Sequence, residues 1–219
     1  MTQSAADNQG RLYANWDSYW NGFMTNPAIE FVRFNLIKNA CSRLLKEFPS
    51  RADMKFCELG SGTAVVSRFL GDKYNSDIYT VDNNPKALEI ARGTFKDYDR
   101  KFIQIQKDVF DLKDHQGQFD LVHSGGLIEH FVGDMREEIV KAHCDLVKLN
   151  GYILILVPTI NGWYKILNEG IFKQLHLLDE IKEVPWSYQE LELTLAKFGF
   201  KVLAKTTVIT EIGVLAQRI

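Results

Sequence analysis

The chain has 219 residues, 46% hydrophobic and 25% charged, the balance of an ordinary soluble globular protein with one core of the larger kind. Its formal charge of −2, without any long basic run, argues against DNA as a partner. The start is polar rather than signal-like, the longest apolar run (152–158) is too short to span a bilayer, and three widely spaced cysteines without a CxxC read as free thiols, so a cytoplasmic location is expected.

After the polar start, "LYANWDSYW" and then "PAIEFVRFNLIKNACSRLLKEF" read as one or two amphipathic helices. In the second, Ile29, Val32, Phe34, Leu36, Ile37, Ala40, Leu44 and Leu45 recur at helical spacing. "KFCELG" (55–60) is a short apolar strand running into a glycine turn, and "TAVVSRFLGDKY" starts a helix. "DIYTVDNN" (77–84) is a second strand, and Pro85 suits the first turn of the helix that follows. "FIQIQKDVF" and "FDLVHSG" (119–125) give third and fourth strands. "GDMREEIVKAHCDLVKLNG" is expected to be a helix closed by Gly151, before a fifth strand, "YILILVP".

Strands alternating with helices in this way point to an α/β protein with a parallel sheet covered on both faces. A helical stretch from Thr159 to about Glu183 interrupts the rhythm as an insert. The helix "WSYQELELTLAKFGF" and two strands follow, and their short link "ITE" demands a hairpin, hence an antiparallel end to the sheet.

In a doubly wound sheet, ligands sit at the carboxyl ends of the strands. In "CELGSGTA" (57–64), Gly60 and Gly62 let a backbone approach a ligand closely, but a dinucleotide fingerprint would need a glycine where Val65 stands. Asp82, ending the second strand 22 residues after Gly60, can accept both hydroxyls of a ribose. Glu58 separates the options: a carboxylate beside the turn suits a cationic group and opposes a pyrophosphate. The plainer alternative is that Glu58 caps the turn.

With these residues the chain resembles the class I S-adenosylmethionine-dependent methyltransferases of the small-molecule type. "CELGSGTA" matches the family's first motif, "VDNNPKALEIAR" the second, "KDVFDL" the third, "FDLVHSGGLIEHF" the fourth and "LVKLNGYILILVP" the passage into the fifth strand, in order over 55–158. The resemblance implies a Rossmann-like doubly wound seven-stranded sheet of order 3-2-1-4-5-7-6 with the last strand antiparallel. It also implies S-adenosylmethionine as cofactor and S-adenosylhomocysteine as product. Glu58, Gly60, Ser61 and Gly62 would line the methionyl part, Asp82 would hold the ribose, and Asn83 would lie beside the adenine. Asp108 and Val109 would fix the adenine edge, and Ser124 would lie near the transferring methyl. Ala64 departs from the pattern where a third glycine is common, and Asn150 where Gly-Gly is usual.

Methyl transfer is an in-line displacement for which the protein mainly aligns the acceptor; a base serves only acceptors that must lose a proton early. His130, after the fourth strand, is the candidate base, with capping or packing as its alternative. His123 is a second, weaker candidate, placed toward the substrate pocket, with a buried, hydrogen-bonded histidine as the plainer reading. No metal is expected, because a Glu-x-x-Glu-His metal pattern ending at His130 would need glutamate at Gly126. Substrate choice is expected from an N-terminal helical cap (11–48), with Trp20 toward the acceptor and Tyr19 covering the cofactor, and from a lid insert (159–190) with Trp163, Tyr164 and His176. The same aromatics could simply pack short helices on the sheet. Between them would lie the cofactor-binding core (55–158), with a C-terminal helix and hairpin (191–219) completing one domain.

The expected function is methyl transfer to a small-molecule acceptor. Other readings left open are a protein or RNA methyltransferase, a cofactor-binding protein without turnover, and an NAD(P)-linked oxidoreductase.

Overall fold

In the computed structural model, which describes residues 10–12, 16, 27–166 and 182–219, seven strands form: β1 Lys55–Leu59, β2 Asp77–Asp82, β3 Phe102–Gln106, β4 Phe119–Gly125, β5 Val147–Pro158, β6 Phe200–Val208 and β7 Glu211–Arg218. The helices are α1 Pro27–Leu44, α2 Val65–Tyr74, α3 Pro85–Thr94, α4 Met135–Leu146 and α5 Tyr188–Lys197. The strands make one sheet of order β3-β2-β1-β4-β5-β7-β6. β1 to β5 pair in parallel, and β7 runs antiparallel to both β5 and β6. This is the class I methyltransferase fold, with its order reversing between β1 and β4.

Apolar side chains fill a layer on each face of the sheet. Ile37, Ala40, Cys41 and Leu44 of α1, at the spacing of one helical stripe, join Val66 and Leu70 of α2 on one face. Ile139, Val140 and Cys144 of α4 and Leu191 and Leu195 of α5 close the other. The three cysteines are free and buried. Burial pushes the Cys41 and Cys144 thiols up to about 12, so they behave as small core hydrophobes. α3 begins as its sequence demands: the Asn84 side chain accepts from the Lys86 and Ala87 amides (2.8 and 3.1 Å), and Pro85 follows it.

One boundary differs from expectation. α4 ends at Leu146, and Gly151 lies inside β5 rather than capping the helix. Val147 is already paired with Phe119, so the sheet captures the chain four residues early. Asn150 takes the left-handed turn at φ 61°, which asparagine tolerates. Gly151 is needed for close approach: a Cβ there would meet Val147 Cγ1 at 2.7 Å. Of the insert, the structure describes a helical turn at Gly162–Tyr164 and an irregular return over 182–187; residues 167–181 lie outside the described residues.

Candidate active site

The glycine turn leaves β1 with residues 60, 62 and 64 at positive φ (61°, 50° and 55°). Glycine takes this conformation freely; Ala64, which precedes the first residue of α2, takes it at a cost. Leu127 lies over Gly60, where a Cβ would come within 2.8 Å of its Cδ1. The turn is fixed by main chain: Ser61 N–H donates to Val81 O (3.1 Å) and Ala64 N–H to Ser61 O (2.8 Å). The Ser61 hydroxyl is buried and has no hydrogen-bond partner among the described residues.

Asp82, at the end of β2, accepts the Gly62 amide on Oδ2 and the Asn84 amide on Oδ1, both at 2.9 Å. Burial raises its pKa, and the backbone donors oppose that shift. Asn83 beside it is exposed. Asp108, beyond β3, accepts the Phe110 amide on Oδ1 (3.1 Å) and the Arg11 guanidinium on Oδ2 (2.7 Å). Val109 packs against the core on the α4 face. Glu58 is buried at the end of β1, with Oε1 3.8 Å from His123 Nδ1. Carboxylates therefore stand at or just beyond the ends of three adjacent strands, around a turn whose backbone is open to close approach.

β4 corrects two expectations. His123 does not line a pocket: it is 1% exposed on the α2 face, with Nε2 3.1 Å from Ser67 Oγ. Its pKa falls to about 3, mainly by burial, with His143 adding to the shift. Ser124, one residue on, points to the opposite face, as strand alternation requires. Its hydroxyl is engaged inside the α4 layer rather than at the strand end. His143 Nδ1 lies 2.8 Å from the Ile139 carbonyl, which can only accept, so the proton sits on Nδ1. Ser124 Oγ then donates to Nε2 at 2.9 Å. β4 ends instead at Gly125, and Gly126 follows it at φ 77°.

The turn Ile128–His130 that follows is bordered on two sides, by main chain on one and by main chain and an indole on the other. On one side Leu12 N–H donates to His130 O and Val132 N–H to Gly10 O, both at 2.8 Å. On the other, Val184 N–H donates to Glu129 O (2.8 Å) and Trp186 Nε1–H to Ile128 O (3.2 Å). His130 sits at this seam, with Nδ1 donating to the Lys182 carbonyl (2.8 Å), Nε2 3.9 Å from Glu129 Oε1, and Trp16 edge-on at 5.0 Å. Tyr164 is buried and donates to Glu183 Oε1 (2.8 Å), whereas Trp163 is 60% exposed. Tyr19, Trp20 and His176 lie outside the described residues.

Sequence reasoning missed Arg136 and Arg11. Arg136 donates to Glu190 Oε1 (2.8 Å), Val184 O (3.0 Å) and Pro185 O (3.2 Å) and stacks over Trp186 at 3.9 Å, stapling the lid's return to α4. Both are single arginines in ordinary surroundings, and apart from the Phe131 carbonyl near Arg136 their acceptors are 48 and more residues away. Among the described residues no group of His, Cys, Asp and Glu gathers into a metal-binding cluster, and no helix is long and apolar enough to cross a membrane.

A family profile described as "Methyltransferase domain" matches residues 32–205. The chain belongs to that family, as a class I S-adenosylmethionine-dependent methyltransferase. No curated protein matches it by sequence. Among solved structures, it is similar to an O-methyltransferase family protein from Burkholderia thailandensis (TM-score 0.71, 16% identity), covering 92% of this chain but only 62% of that one. It is similar to magnesium protoporphyrin IX methyltransferase from Synechocystis with bound SAH (0.71, 14%, 93% of each chain). A third similar structure is the methyltransferase in complex with the Haloferax volcanii Trm112 methyltransferase activator (0.72, 15%, 94% of this chain and 98% of that one).

Proposed function

We propose that the protein transfers a methyl group from S-adenosylmethionine to a small-molecule acceptor. One observation carries the cofactor assignment: Glu58, Asp82 and Asp108 stand around the Gly60–Gly62 turn at the ends of three adjacent strands. Carboxylates only accept, and an adenosylated amino acid offers an ammonium, ribose hydroxyls and an amino group that donate. A pyrophosphate would face this ring of negative charge instead. The buried Ser61 hydroxyl is a further group that a ligand's polar atom would satisfy.

In this reading Glu58, Gly60, Ser61 and Gly62 hold the methionyl part, Asp82 the ribose, and Asn83, Asp108 and Val109 the adenine side. When bound, the cofactor supplies a methyl already activated on a sulfonium. The chain orients the acceptor and excludes water between the cap and the lid. Gly125 and Gly126, without side chains, leave room for the acceptor beside the turn. His130 is the candidate base for acceptors that ionise on transfer, acting through Nε2, since Nδ1 is bonded to Lys182 O. The segments 11–48 and 159–190 form the acceptor's walls around the 55–158 core, and 191–219 completes the domain.

Small molecules are favoured over macromolecules by the formal charge of −2 and by aromatic residues concentrated in cap and lid. The Trm112-bound neighbour, nearly equal in extent, supports a second reading in which an activator protein joins the chain. Calorimetric titration with S-adenosylmethionine, S-adenosylhomocysteine and NADH tests the assignment: adenosyl binding that Asp82→Ala abolishes supports it, and a preference for NADH sinks it.

A further inference from the structure

We propose that Arg11 is a positioning residue for adenine recognition, orienting Asp108 toward the purine amino group; the inference rests on the cofactor assignment above. Arg11 is on a short strap whose main chain docks on the turn after β4. The strap is held by two main-chain bonds at 2.8 Å, Leu12 N–H to His130 O and Val132 N–H to Gly10 O, and by an isolated antiparallel bridge between Arg11 and Phe131. The guanidinium reaches across the chain to Asp108, donating from Nη1 to Oδ2 at 2.7 Å, and lies over the Phe110 ring at 5.3 Å.

Half-exposed ion pairs contribute little to stability. What this one adds is geometry. Asp108 Oδ1 is fixed by the Phe110 amide (3.1 Å) and Oδ2 by Arg11, so the carboxylate plane is set by a donor at each oxygen. Each oxygen keeps a second lone pair, and the side chain is still 33% exposed, so it remains open to one further donor. An exocyclic purine amino group is such a donor, and the Arg11 cation over the Phe110 ring lies beside the carboxylate.

The test uses S-adenosylhomocysteine and its analogue lacking the 6-amino group, titrated calorimetrically into the full chain. The wild type should prefer the amino ligand by about tenfold or more, as expected for a hydrogen bond to a charged acceptor. Arg11→Met should shrink that preference to about threefold or less, and Arg11→Lys should restore part of it through a single donor. Loss of affinity for both ligands in equal proportion would mean that Arg11 merely holds the strap, and the inference would be overturned. An unchanged preference in Arg11→Met would overturn it too. A wild type that binds neither ligand would instead remove the cofactor assignment on which the inference stands.

Discussion

The Gly62 amide donates to Asp82 Oδ2 across 2.9 Å, joining the turn after β1 to the last residue of β2. The carboxylate thus shapes the glycine turn, and under the proposed function it also holds the ribose. Asp82→Asn keeps the size but must turn its NH2 group toward either the Gly62 or the Asn84 amide. We expect a loss of roughly 1–3 kcal/mol from one unsatisfied buried donor. Urea unfolding and S-adenosylhomocysteine titration should both register the change. Full stability in the variant would show that the turn keeps its shape without Asp82.

Ala64 sits at φ 55° with its methyl buried. Ala64→Gly relieves a left-handed strain of about 1–2 kcal/mol but forfeits a buried methyl and adds unfolded-state entropy. The net change should stay within about 1 kcal/mol of zero. Ala64→Val adds a β-branched side chain where none fits and should cost more than about 2 kcal/mol. Thermal melts of the two variants check the order; a valine variant as stable as wild type would contradict the backbone geometry.

Arg136 joins α4 to the lid's return through Glu190, two carbonyls and the Trp186 ring. Arg136→Met leaves those acceptors without their donor, and a loss of about 2–4 kcal/mol is expected. Arg136→Lys should recover less than half of it, because one ammonium cannot span the fork. Hydrogen exchange at the Trp186 amide should quicken in both. Unchanged exchange would show that the return is held by its own backbone bonds.

Acid should weaken the fold from its interior. His123 and His143 lie on opposite faces of the sheet, and burial, the main cause for both, lowers their pKa to about 3 and about 4. The folded chain keeps them neutral, while the unfolded chain takes up a proton on each near the ordinary value of 6.5. Their stabilisation is therefore full above that value and declines as pH falls, by about 1.4 kcal/mol per pH unit per histidine. Asp82, whose pKa burial raises, acts with the opposite sign at the acid end, since the fold then binds its proton more tightly than the unfolded chain. Urea titrations at pH 7, 6 and 5 should show the decline, with a shallower slope in His123→Gln. Equal stability at pH 7 and 5 would mean that the histidines are already charged or hydrated in the fold.

The alternation of strands and helices and the terminal hairpin were readable from the sequence because each rests on local chemistry: apolar strands, glycine turns, Pro85 in a first helical turn, and a link too short for a crossover. The sheet order came from the family resemblance. Glu58 and Asp82 were readable for the same reason, since each stands at a strand end beside the glycine turn, whereas Asp108 came from the family resemblance. What escaped was set by partners distant in the chain. Ser124 sits at a strand end in sequence, but alternation turns it into the α4 layer, where His143 awaits it, while His123 takes the buried place its plainer reading gave it, against Ser67. The end of α4 was misplaced because pairing of Val147 with Phe119 overrides the nearby glycine. Arg11 and Arg136 bear no local mark of their contacts.

The seam at Ile128–His130 has a consequence for how such a protein can change. Main-chain bonds fasten both the strap and the 182–187 return to it, and these bonds are indifferent to which residues supply them. Trp186, whose indole donates to Ile128 O, adds a side-chain anchor. Other side chains in the two segments, Arg11 apart, can therefore be rewritten while the anchor points stay put. Under the proposed function, that would let a new acceptor be admitted without moving the door frame beside Gly60 and Asp82.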